Sequence, residues 1–345
     1  MNEPSSAPET RARANSILWL LFRVGVSCAL VWFLLRGVSL GELLDFFART
    51  VDNWPWLAAA LAMPAIGTLA SSLRLLCLLR AQRVDASIVE LSMLHVISTF
   101  YNQLLPSTIG ADMIRAYWVS RFQGIGDGTE SGTGRILVAG TVIGVERLIG
   151  AVGIVATALI ASALDPSVLR ASPGLRAILP LITIGTLLGV VLLLIIPGRQ
   201  FGRSVFSIPL LRRVRDKAVT IYGALKAYRR SLKYLFGAFV LSIGLQVSII
   251  VQYWLLAGAL GLDVSFRGLA VLIPVVTLIS MMPITINGIG LREQALRTLG
   301  ASLGFTAASA VALGWAFVMV KVLWALAGGI IQLRYRPRWM EIPQR

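Results

Sequence analysis

Histidine occurs once in this sequence, at His95, and cysteine only twice, at Cys28 and Cys77. A single imidazole leaves no helical pair for a metal ion. The two thiols lie apart within apolar stretches, so they offer neither a CxxC pair nor a disulfide framework, and they read as space-filling side chains. H-E-x-x-H, G-x-S-x-G and aspartate-rich diphosphate-binding runs are also missing. The glycines of GIGDGTESGTG (124–134) lack the Lys-Ser/Thr ending of a phosphate loop and read as a flexible linker. No metal, no cofactor and no catalytic residue are therefore expected. Charge itself is sparse: 14% of the 345 residues are charged, where soluble domains carry about 25%. Acidic charge is the rarer kind, with 16 Asp and Glu against 32 Lys and Arg.

Hydrophobic residues make up 57% of the chain and its mean hydropathy is +0.79. Several apolar runs reach the roughly 20 residues that carry a helix across a bilayer. The expected fold is an all-α polytopic membrane protein with about six full transmembrane helices, at 16–36, 54–80, 136–163, 178–197, 234–260 and 303–333. The net charge of +16 then marks cytoplasmic loops and anionic headgroups, not nucleic acid. Residues 1–15 read as a disordered cytoplasmic tail, with no small-residue cleavage site after the apolar run that follows. Segment 199–233 holds ten Lys and Arg against Asp216 alone. Leu211, Val214, Ala218, Ile221, Leu225, Tyr228 and Leu232 form a stripe within it at helical spacing. A basic amphipathic segment on the anionic cytoplasmic leaflet (211–233) is the direct reading. The tail 334–345 is basic and also expected to be cytoplasmic.

Two further apolar stretches, 87–121 and 266–300, are interrupted at Pro106 and Pro283. LLPSTIGADMIR (104–115) and MMPITINGIGLR (281–292) align without a gap, matching Pro106 with Pro283 and Arg115 with Arg292. If the basic segment and both termini face the cytoplasm, the first stretch must begin and end inside and the second must begin and end outside. Two re-entrant helical hairpins satisfy that count. The chain then divides into units 16–163 and 178–333, an inverted repeat of the kind in which broken helices meet near the midplane.

Ionisable residues inside a membrane cost about 2.5–3.5 kcal/mol each on insertion scales, so they line cavities or pair. Arg74, Asp112, Arg115, Glu146, Arg147, Arg292, Glu293 and Lys321 are such residues, and basic groups outnumber acidic ones. An anionic ligand would balance them, with Arg115, Arg147 and Arg292 as headgroup ligands through the planar guanidinium. Asp112, Glu146, Glu293 and Lys321 are assigned to charge pairing, Glu146 with Arg115 or Arg292 and Lys321 with Glu293. Pro106 and Pro283 break the helices, leaving N–H donors at the helix starts beyond them. Gly110, Gly288 and Gly290 would admit a headgroup close to the backbone. Arg74 reads equally well as a snorkelling side chain. His95 is expected to be a hydrogen-bonded packing residue, and Asn102 and Gln103 either line the cavity or satisfy the broken backbone.

NQLLPSTIGADMIRAY (102–117), GVERLIG (144–150) and PITINGIGLREQA (283–295), in this order, resemble the signatures of the lysylphosphatidylglycerol synthase transmembrane-region family, the flippase-like integral membrane proteins. The resemblance covers about 15–335. It departs at Ala111 and at Asn287, where the family usually has glycine. Members fused to an aminoacyl-transferase make lysylphosphatidylglycerol and are held to flip it. For this chain the resemblance implies the flipping half alone, acting in a bacterial inner membrane on an anionic or phosphate-bearing phospholipid, glycolipid or polyprenyl-linked lipid. Membrane lipids are the expected partners, together with a separate lipid-synthetic enzyme. The alternatives are a membrane-embedded enzyme using Asp112 or Glu146 as base, or an accessory subunit of lipid-linked synthesis.

Overall fold

In hydrocarbon every backbone N–H and C=O must be paired within the chain, which leaves the helix as the form for runs this apolar. The computed structural model describes residues 39–104, 108–126, 132–195, 228, 231–282 and 284–334, with 25, 28, 29 and 32 besides. No strand occurs among the described residues. The expected first helix (16–36, bar those four positions), Pro106, Pro283, nearly all of the basic amphipathic segment and the two tails lie outside them.

Among the described residues, five helices are long and apolar enough to span a membrane: α2 (Trp54–Ala81), α5 (Gly132–Leu164), α7 (Pro173–Ile195), α8 (Leu232–Ala259) and α11 (Ala307–Arg334). Each matches an expected crossing to within five residues, and α5 starts inside the stretch read as a linker. Two short helices were not anticipated: α1 (Leu40–Asp52), capped by the Ser39 hydroxyl, and α6 (Pro166–Ala171), capped by Asp165. Both are too short to show in a membrane-length window.

The two interrupted stretches are each a pair of short helices. The first comprises α3 (Ile88–Leu104) and α4 (Thr108–Val119), the second α9 (Phe266–Ser280) and α10 (Leu291–Gly300). At 1.5 Å per residue they extend about 25, 18, 22 and 15 Å, each short of the roughly 30 Å hydrocarbon layer. Within each pair the two helices pack on each other.

The packing repeats as the helix order does. α2 lies along α8, more extensively than any other pair; α3 packs on α11 and α9 on α5; α4 packs on α5 and α10 on α11. Exchanging α2 with α8, α3 with α9, α4 with α10 and α5 with α11 converts each contact into another of the set. Small residues allow the closest crossings, as expected where lipid supplies no hydrophobic drive between helices. Gly328 of α11 sits against the Val96 carbonyl and Gly329 against the Phe100 ring, while Gly153 of α5 meets Ser242 of α8.

One defect in α2 is repaired from the other half. Pro64 has no N–H, so the carbonyl four residues earlier, on Ala60, loses its helical donor. The Gln252 side chain of α8 donates to that carbonyl at 3.5 Å. The buried apolar residues form two cores, one around Leu75, Leu94 and Val142, the other around Leu256, Leu272 and Leu313.

Candidate functional site

A cavity of about 400 Å³ opens where the two interrupted stretches meet. Its wall is built by helices whose polar residues recur at three- and four-residue steps, which places them on one face. α2 contributes Thr68, Ser71 and Arg74, and α3 contributes His95, Thr99 and Asn102. Ser248 and Gln252 of α8 face them, with Phe317, Lys321 and Trp324 of α11. Arg147 and Arg292 complete a wall that carries four strongly basic side chains and, among the described residues, no carboxylate.

The carboxylates stand behind that wall, in pairs. Glu146, 1% exposed, accepts from Arg74 Nη2 at 3.0 Å on one oxygen and from Arg115 Nη2 at 2.9 Å on the other. Arg74 Nη1 also donates to the Ser242 hydroxyl at 3.3 Å. Gly150 gives that guanidinium room, since a Cβ there would lie 3.2 Å from Nη1. Arg147 projects another way and meets Asp112 at 2.8 Å. Neighbours in sequence thus serve different pairs, because successive helical residues diverge by about 100°.

The second break has a different design. After α9 the chain turns through Asn287, Gly288 and Gly290, all with positive φ (51°, 75° and 83°), before α10 begins at Leu291. That left-handed region is open to glycine and next best to asparagine, which suits Asn287 as the one non-glycine residue of the three. Asn287 Nδ2 donates to Gln103 Oε1 at 3.0 Å. The two breaks therefore touch, across 184 residues of sequence. Arg292, 5% exposed, donates from Nη2 to the Asn287 carbonyl at 3.0 Å. Its Nη1 lies 3.9 Å from Glu293 and its guanidinium 5.4 Å from the Phe317 ring centre. Lys321 Nζ lies 4.9 Å from the same ring, which stacks on Tyr253 at 4.3 Å.

Several expectations change here. Of the two partners expected for Glu146, the structure gives Arg115 and not Arg292, and Arg74 is added to the pair. Glu293 does not pair with Lys321. Its carboxylate accepts from the Gly290 N–H at 2.6 Å and packs against Gly314, where a Cβ would come within 2.8 Å. The start of α10 is thus capped by its own side chain, and Gly288 and Gly290 serve the turn. Arg115 belongs to the Glu146 cluster and is not on the cavity wall, whereas Arg74 is on both. Ala111 is buried on α4, away from the wall. Gly110 lies in the first turns of α4. His95 is on the wall with Nδ1 buried and unbonded among the described residues, and Asn102 and Gln103 line the cavity. Sequence reasoning passed over Thr68, Ser71, Gln252 and Phe317. Polar residues spaced by three and four in apolar helices were the available signal for the first three.

Among the described residues no group of His, Cys, Asp and Glu could hold a metal ion. Comparison with curated proteins and with solved structures gave no match. The family model for the lysylphosphatidylglycerol synthase TM region matches residues 20–329. That span includes every cluster described above, together with both breaks and the cavity between them. The chain belongs to the lysylphosphatidylglycerol synthase transmembrane-region family.

Proposed function

We propose that this protein is a lipid flippase or transporter that moves an anionic or phosphate-bearing lipid between the leaflets of a bacterial-type inner membrane. The observation that carries the reading is the wall with four basic side chains and, among the described residues, no carboxylate, at the junction of two broken helices. A cationic surface in a low-dielectric layer favours an anion strongly, and guanidinium groups are shaped for phosphate oxygens. The family is a membrane domain associated with lipid synthesis or flipping, which agrees with a lipid as the ligand. In this reading the hairpins enter from opposite faces with both termini cytoplasmic, and the two units rock about the cavity so that it opens to one leaflet at a time.

Reconstitution in liposomes tests the proposal. Purified protein is expected to speed the crossing of a labelled anionic phospholipid, and a rate equal to that of empty liposomes would sink it. Arg292→Ala is expected to abolish that transport while leaving expression intact. Full transport by this variant would remove Arg292 from the site.

A further inference from the structure

The charges around the cavity do not cancel, and the remainder has a definite size. Glu146 answers one of the two guanidiniums that flank it, Asp112 answers Arg147, and Glu293 lies beside Arg292. One positive charge is left over in the Glu146 cluster. Lys321 has no carboxylate within 4.0 Å among the described residues and is the second. Arg292 and Lys321 reach the same Phe317 ring, so two cations share one aromatic surface. Arg292, though 5% exposed, keeps Nη1 without a hydrogen-bond acceptor. A buried guanidinium N–H left unbonded is costly, and net charge in an apolar layer is more so.

Resting on the transport reading above, we infer that the cavity takes a dianionic phosphate, a phosphomonoester or diphosphate headgroup, seated on the wall that Arg74 of the Glu146 cluster shares with Arg292 and Lys321. Two negative charges cancel the two left over, and phosphate oxygens supply the acceptor that Arg292 Nη1 lacks. A monoanionic phosphodiester leaves one cation unanswered, and a zwitterionic headgroup leaves both. An aminoacylated headgroup brings ammonium groups to a wall with no carboxylate to receive them.

Binding, measured apart from transport, tests this. Full-length protein in detergent is titrated with fluorescent phosphatidic acid at mildly alkaline pH, where the phosphomonoester carries its second charge. Phosphatidylglycerol, phosphatidylethanolamine and inorganic phosphate serve as competitors. Phosphatidic acid is expected to bind about tenfold or more tighter than phosphatidylglycerol, the worth of one charge-assisted contact. Lys321→Met should erase that preference by weakening phosphatidic acid alone, and Lys321→Arg should keep it. Equal affinity for the two lipids in the native protein overturns the inference, as does a preference that survives Lys321→Met. Thermal melting of each variant guards against a folding defect. Inorganic phosphate that competes as strongly as phosphatidic acid supports the dianion and assigns it to a soluble source. Preference for phosphatidic acid without liposome transport sinks the flipping reading and leaves this one standing. Transport without preference does the reverse.

Discussion

Glu146 holds two guanidiniums at once, and both would be left without a counter-charge if it were neutral. Removing one partner of a buried pair leaves the other charge uncompensated, at about 3–5 kcal/mol. Glu146→Gln is therefore expected to lower thermal stability in detergent by that order. An unchanged melting temperature would show the cluster to be solvated. The residue types of this cluster were legible in the sequence, because charge inside an apolar helix is conspicuous. Their pairing was not. Arg74, Arg115 and Glu146 come from three helices, and only packing decides which side chains meet. Asn287 was legible only as a departure from glycine; the positive φ that it adopts, and its reach to Gln103, belong to the folded backbone.

At the scale of the element, long helices were readable because a run of about 20 apolar residues has few other fates in a membrane. The second break was misread in one respect: the helix does not resume behind Pro283. Three residues with positive φ, Asn287, Gly288 and Gly290, delay it to Leu291, since no right-handed helix admits those φ values. Small residues on α11 were readable as glycines without showing which neighbour needs them. Gly328 lies under the Val96 backbone of α3. Gly328→Leu is expected to force α11 from α3 and cost about 1–3 kcal/mol, read as a lower melting temperature. Gly185→Leu on α7, where a Cβ meets nothing within 4 Å, should leave it unchanged. Equal effects at the two sites would mean that the α3–α11 crossing yields freely.

For the molecule as a whole, the contact between Gln103 and Asn287 ties the two interrupted stretches together. If transport needs the halves to rock apart, holding that contact should stop it. In a chain with Cys28 and Cys77 replaced by serine, Gln103→Cys with Asn287→Cys is expected to lose lipid transport on treatment with a short thiol cross-linker. Cross-linked protein that transports normally would show that the breaks stay together through the cycle. The repeat of helix order was legible from charge and proline placement, whereas the exchange of packing partners between halves required the structure. That exchange reaches down to single hydrogen bonds. Because the Ala60 carbonyl, stripped of its helical donor by Pro64, is served by Gln252, the two halves are not free to change independently. A chimera that joins the first half of this chain to the second half of a relative would inherit the proline's defect, and it would carry the remedy only if the relative also places a donor opposite Ala60.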